Sequence, residues 1–513
     1  MAFVDTRTLE PGSRIEADVC VIGSGAAGLA LASHFFDRSR RVVLLESGGM
    51  ALEPGIQSLY AGRVVGQSHA PLDSCRLRFF GGTTNHWTAH VRRLEPIDFA
   101  ERSWVPRSGW PLGLEELTPY YAQAASLLRV PDGSFELPSA RRHELSVGSD
   151  RVSALLRYVV PEEDRRLGPI LRDRMQRSRN VDTYLYANVL AIEVDESRKR
   201  VRELRVGTLE GVRVSARARF YVLAAGGIEN PRILLLSSIG SGGDTVGAFY
   251  ANHPGGWGGY LQPLPGRLPA PIFRAEKGPR GAARPFLRLS DETQRRQQLL
   301  NCWMEVVPRV GPAQVRKRLA ADSIGPDPAS ELDEVGLRDR DVANLALDME
   351  RLGEPGGQAV AKPRPFAVRL IAEPTPNPQS RVRLDDSVDA FGQRRALLDW
   401  RLEARDSESA RTSLEVLGRE IAAAGVGRLR ILFPRSGFES LRTVGSHHHM
   451  GSTRMSRDPS QGVVDADCRV HGIPNLFVAG SSVFPTYGTA NPTYTIIALA
   501  FRLADHLQKE LAA

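Results

Sequence analysis

The sequence is poor in cysteine and has no long apolar run. Four cysteines, Cys20, Cys75, Cys302 and Cys468, stand among 513 residues. They form no CxxC pair and no metal-ligand spacing, which argues against a disulfide framework and leaves free thiols in a reducing compartment as the expectation. No stretch reaches the roughly 18 apolar residues that a membrane span needs, so no span is expected. Met1–Arg14 lacks the apolar core of a secretory leader, and the expected location is the cytoplasm. The formal charge is +8, but it comes from scattered arginines. Without a basic block interleaved with aromatics, no nucleic-acid partner is expected. There is no internal repeat and no low-complexity segment.

What remains is an ordinary globular composition, 42% apolar and 25% charged, in a chain long enough for two domains sharing a large core. The apolar run in Ala17–Ile22 suits a buried parallel strand. Gly23-Ser24-Gly25-Ala26-Ala27-Gly28 follows, then a helical run Leu29–Phe36 and a second strand Arg41–Leu45 that ends in Glu46. This is GxGxxG in its full strand–turn–helix–strand context. Gly23 permits the tight turn, Gly25 lets backbone approach a pyrophosphate, and Gly28 lets helix and strand pack closely. The helix N-terminus offers unpaired N–H groups to phosphates, and Glu46, roughly 20 residues on, can accept from a ribose hydroxyl. The fingerprint by itself does not separate NAD from FAD.

Arg78-Phe79-Phe80-Gly81-Gly82-Thr83-Thr84-Asn85-His86-Trp87-Thr88 is a second unusual stretch, with two glycines ahead of small polar residues, a histidine and a tryptophan. With it the chain resembles the glucose-methanol-choline (GMC) oxidoreductases, specifically their pyranose oxidase-like branch. The resemblance implies FAD, held in part by Gly82, Asn85, His86 and Thr88, with Thr88 near the flavin and a covalent link through His86 open. It implies a backbone contact to adenine from Val189. It also implies close passes of backbone to the cofactor at Ala225, in Ala224-Ala225-Gly226-Gly227, and at Gly480 and Ser481, in Val478-Ala479-Gly480-Ser481. The implied fold is α/β: a discontinuous Rossmann-like FAD-binding domain (1–110, 181–250, 441–513) and a substrate domain on an antiparallel sheet (111–180, 251–440). Helices are expected over Leu114–Leu128 and Ser407–Ala424, and strands over Phe366–Ala372 and Arg381–Leu384. Glu136–Arg174 reads as a solvated loop, a lid or an oligomer contact. Pro312–Pro363 reads as an insertion at the active-site rim. His253, near a turn in Asn252-His253-Pro254, reads as structural.

Oxidising an alcohol by hydride transfer needs a base for the hydroxyl proton, and histidine is neutral at the right pH. The run His447-His448-His449-Met450-Gly451 supplies candidates. In the family the base stands three residues before such a glycine, which implies His448. Its implied partner is Asn491, in Thr489-Ala490-Asn491-Pro492-Thr493, where Thr493 also faces the cofactor; Asn before Pro is equally a good helix cap. The histidine run lacks HExxH or another helical ligand spacing, so no metal is expected. The expected substrate is a small-molecule alcohol, a sugar or glycoside, with O2 or a quinone or dye as acceptor. A tailoring oxidase acting on a cationic aminoglycoside is the alternative, to be recognised by an acid-lined pocket. A flavoprotein lyase would not need both His448 and Asn491.

Overall fold

Val19, Val21, Leu44, Val222 and Phe477 are fully excluded from solvent. They lie on strands whose two faces are both covered, the environment that continuous β-branched runs favour. The computed structural model describes residues 3–131, 135, 149–240, 244–264, 276–278, 281–307, 366–432 and 447–512. Pro312–Pro363 and 136–148 therefore lie outside the described residues.

The first sheet has the order Phe3–Asp5, Val181–Leu185, Val42–Leu45, Arg14–Ile22, Arg213–Leu223, Val201–Gly207, Asn188–Val194. Its first five strands are parallel, and the last two return as an antiparallel meander. Arg213–Leu223 serves two neighbours on one edge. Its first residues pair with Val201–Gly207, and its last three pair in parallel with Leu476–Val478. The carboxyl ends come out level: Ile22 opposite Leu45, Leu223 opposite Ile22, and Leu223 opposite Val478. Three distant pieces of chain thus end their strands at one edge, where open α/β sheets bind ligands.

The second sheet is antiparallel, in the order Gly427–Ile431, Gly255–Pro263, Phe366–Ala372, Cys302–Val307, Gly281–Leu289, Val152–Val159, His90–Val91. Ala404–Ala423 packs on it through Ala410, Leu414, Leu417 and Ile421. Two expectations shift here. The segment expected as a loop or lid over Glu136–Arg174 contains a strand, Val152–Val159, that pairs along its whole length with Gly281–Leu289. The piece expected to belong to the substrate domain, 111–180, is split. Leu114–Leu128 and Leu167–Arg177 bury Leu117, Tyr121, Leu128, Leu171 and Met175 in the core of the parallel sheet. The apolar spacing of those helices is equally compatible with either layer, so sequence alone does not assign them.

Candidate active site

The level strand ends open onto a cleft of about 400 Å³. Gly23, Gly25, Glu46, Gly82, His86, Thr88, Val189, Ala225, Gly480, Ser481, Asn491 and Thr493 line it, together with the three histidines 447–449. Gly25, Gly226 and Gly480 belong to three separate strand ends, and a Cβ added at any of them would meet nothing within 4 Å. They form an open backbone floor along which a long ligand can lie. Gly28 has the other glycine role: an added Cβ would stand 1.9 Å from the Gly23 carbonyl oxygen. Gly28 does not line the cleft. Neither does Asn85, whose amide donates to the carbonyls of Phe80 (3.0 Å) and Gly82 (2.9 Å) and so holds the glycine turn in shape.

Glu46 is buried and accepts from the backbone N–H groups of Ser24 (3.0 Å) and Gly48 (2.8 Å) and from the Ser24 hydroxyl (2.5 Å). The carboxylate ties the glycine turn to the end of the next strand. Nearby, Glu229 accepts from Arg76 (3.0 Å) and Arg232 (3.2 Å), and Arg78 lies 3.8 Å away. Burial alone would push this carboxyl up, but the three guanidiniums outweigh it and hold Glu229 down at about 2. An open glycine floor, a helix N-terminus and an acid at a strand end together fit a dinucleotide cofactor.

The histidine run lies beside this floor. Met450 forms a two-way backbone bridge with Ala251, at 2.9 Å each way, which zips the run to Asn252 and His253. Asn252 Oδ1 accepts from the His448 N–H at 3.0 Å. His253, fully buried, places Nδ1 2.9 Å from His448 Nδ1 and Nε2 3.0 Å from the Gly488 carbonyl oxygen. A carbonyl only accepts, so His253 carries its proton on Nε2. Burial pulls His253 down to about 4, so the ring is neutral and its Nδ1 presents a lone pair. His448 must then donate from Nδ1, which leaves the lone pair on Nε2. Asn491 Nδ2 lies 3.4 Å from that nitrogen. Burial also holds His448 well below the usual histidine value.

His253, which the sequence suggested as a structural histidine, is thus hydrogen-bonded directly to His448. Its partner is 195 residues away, and no local pattern links Asn252-His253-Pro254 to the run. Gly488 is itself fixed: its N–H donates to Glu373 at 3.1 Å, and Glu373 makes a bidentate pair with Arg102, both bonds 2.8 Å, with both side chains buried.

The antiparallel sheet turns one face toward this centre. Trp303 donates from Nε1 to the Thr489 carbonyl at 3.1 Å. On the same face Arg157 stands opposite Arg284, and Glu305 opposite Arg369. Arg157 pairs with Glu305 at 2.8 Å. Burial and then Arg157, Arg284 and Arg369 hold His90, which lines the cleft, well below the usual value. Arg288, opposite Trp303, adds a further guanidinium to this face and pairs with Asp291.

Two family models match the chain. "FAD dependent oxidoreductase" covers residues 18–238, and "GMC oxidoreductase" covers 376–500. A 2-methyl-1,2-propanediol dehydrogenase from Mycolicibacterium austroafricanum is 24% identical across 97% of this chain and 96% of its own length. A C-glycoside 3-oxidase from Arthrobacter globiformis is 34% identical across 26% of this chain and 25% of its own. The solved pyridoxine 4-oxidase from Mesorbium loti shares the fold, with a TM-score of 0.55 at 19% identity over 96% of this chain and 99% of that one. No helix among the described residues is long and apolar enough to cross a membrane. With strand ends, glycine floor and histidine loop in place, the chain belongs to the GMC oxidoreductase family and is an FAD-dependent oxidoreductase.

Proposed function

We propose that the cleft oxidises a CH–OH group of a sugar or glycoside to a carbonyl, with His448 as the base and Asn491 as the second contact to the substrate oxygen. The observation that carries this is the tautomer chain Gly488–His253–His448, which leaves a lone pair on His448 Nε2 beside Asn491 Nδ2. FAD, when bound, supplies the hydride acceptor. The residues to hold it are Gly23–Ala27 at the helix N-terminus, Glu46, Val189, Ala225, Gly480, Ser481 and Thr493, all lining the cleft. His448 takes the hydroxyl proton on Nε2, and the imidazolium so formed is stabilised by its Nδ1–H bond to His253. The Asn491 amide orients the oxygen so that the proton meets the lone pair.

The pyranose oxidase-like branch is the finer reading, supported by His448 and Asn491 standing together and by glycine at position 480. An aminoglycoside oxidase would use the same His448–Asn491 pair and differs in needing an acid-lined substrate pocket. His86 is exposed and lines the cleft, as a covalent flavin link requires. Acid precipitation reads that link directly: flavin in the pellet assigns it and flavin in the supernatant excludes it.

The test is anaerobic flavin reduction by a panel of sugars and glycosides, with O2 admitted afterwards to read the acceptor. In His448→Ala, with flavin still bound, the reduction rate should fall by about 10²–10⁴-fold, the usual worth of a positioned base. An unchanged rate overturns the assignment.

A further inference from the structure

His447 and His449 turn away from the base. His448 faces His253 and Asn491, whereas the rings of its two neighbours stand against His69, His447 edge-on and His449 tilted, with centroids 5.7 and 5.3 Å away. There they meet Cys75. One donor atom from each of His69, Cys75, His447 and His449 falls within 4.8 Å of all the others. Three details show ligand geometry. Cys75 Sγ is 3.8 Å from His449 Nε2, whereas sulfur and nitrogen bound to one tetrahedral zinc stand about 3.6 Å apart at ordinary bond lengths. His69 lies with Nδ1 2.7 Å from the Ala70 carbonyl oxygen, which fixes the tautomer and frees the lone pair of Nε2, as the outer partner of a metal-bound histidine does. His447 Nδ1 is buried without a hydrogen-bond partner among the described residues, an arrangement that costs stability unless something fills it.

We propose that Cys75, His69, His447 and His449 form a binding site for zinc or a cation of the same class, which clamps the loop carrying His448 to the segment 69–75. A thiolate with three neutral imidazoles is a donor set for Zn²⁺ and not for the oxygen-seeking Mg²⁺ or Ca²⁺. Binding replaces the Cys75 S–H bond with a metal–sulfur bond and releases one proton to solvent; nothing is oxidised. The expectation of no metal from the histidine run looked for ligands along one helix. Here the ligands come from two segments, with Cys75 and His449 374 positions apart. The site sits beside the base but does not depend on what His448 does, so the two readings fail separately. Among the described residues two contacts compete with the metal: the Tyr250 hydroxyl, 3.2 Å from His69 Nε2, and the Leu72 carbonyl oxygen, 3.8 Å from Cys75 Sγ.

The experiment uses chelator-treated holoenzyme and Zn²⁺ alone, followed by calorimetry and metal analysis. One Zn²⁺ per chain is expected. Cys75→Ser and His69→Ala should each weaken it at least about 100-fold, and Tyr250→Phe should tighten it. Where a variant does not fold, wild-type enzyme decides. Co²⁺ should give red d–d absorption, clear of the flavin bands, and should protect Cys75 from alkylation in peptide mapping. No stoichiometric Zn²⁺ on the wild type, affinity unchanged in a folded Cys75→Ser, or Cys75 alkylated as fast with Co²⁺ as without it overturns the proposal.

Discussion

His253 Nδ1 lies 2.9 Å from His448 Nδ1, and the two rings stand at 90°. The contact would mean little if either nitrogen could carry the proton. The carbonyls of Gly488 and Tyr487 at the far side of His253 remove that choice. His253 is therefore a positioning residue: it is fully buried and does not line the cleft, but it sets which nitrogen of His448 keeps its lone pair. His253→Phe should lower the flavin-reduction rate by roughly 10²-fold with KM changed by less than about threefold. His253→Gln, which can still accept from His448, should recover part of the loss. A merely structural histidine would show instead as lost flavin or lost stability, with the remaining holoenzyme reacting at the normal rate. Rapid mixing on variants matched for flavin content distinguishes the two.

The Glu229 cluster should shape the acid limb of stability. In the unfolded chain this carboxyl titrates near the ordinary glutamate value of 4.5; in the native protein the arginines outweigh burial and hold it at about 2. The native state stays charged where the unfolded state has taken up a proton. The stabilisation is complete above about pH 4.5 and is lost as pH falls toward 2, a difference of about 3 kcal/mol. Urea midpoints followed from pH 6 downward should drop through this window, and Glu229→Gln should drop less steeply while starting lower. The same slope in both proteins would remove Glu229 from the account.

Much of this site could be read in the sequence because the cofactor floor is made of local patterns. Gly23–Glu46 is a strand, turn, helix and strand in one continuous stretch, and each residue has a role that its neighbours reveal. The family pattern pointed to His448 and Asn491, and the fold brings the two within 3.4 Å of each other. The residues that act on them were not legible. His253, Glu373 and Arg102 converge from three places, and their meaning lies in hydrogen bonds spanning 115 to 271 positions. The strand Val152–Val159 was hidden for a related reason. Its arginine at position 157 breaks the apolar alternation, and only the sheet supplies Glu305 to pair with it.

Two of the three fingerprint glycines, Gly25 and Gly28, should fail in different ways. Gly25 has φ −72° and ψ −168°, extended backbone that any residue adopts, and open space where its Cβ would go. Gly25→Val should therefore fold with stability changed by less than about 1 kcal/mol, yet its methyl groups would project into the cleft where the ligand backbone must pass. Gly28→Ala places a Cβ 1.9 Å from the Gly23 carbonyl oxygen, a backbone atom that cannot step aside without moving the turn. That overpacking should cost on the order of 3 kcal/mol. Thermal unfolding of flavin-free protein, set beside flavin content after desalting, separates the two. Gly25→Val should unfold near the wild-type temperature and retain little flavin. Gly28→Ala should unfold early even before flavin is added. If Gly25→Val kept a full complement of flavin, the strand-end floor would not be where the cofactor lies.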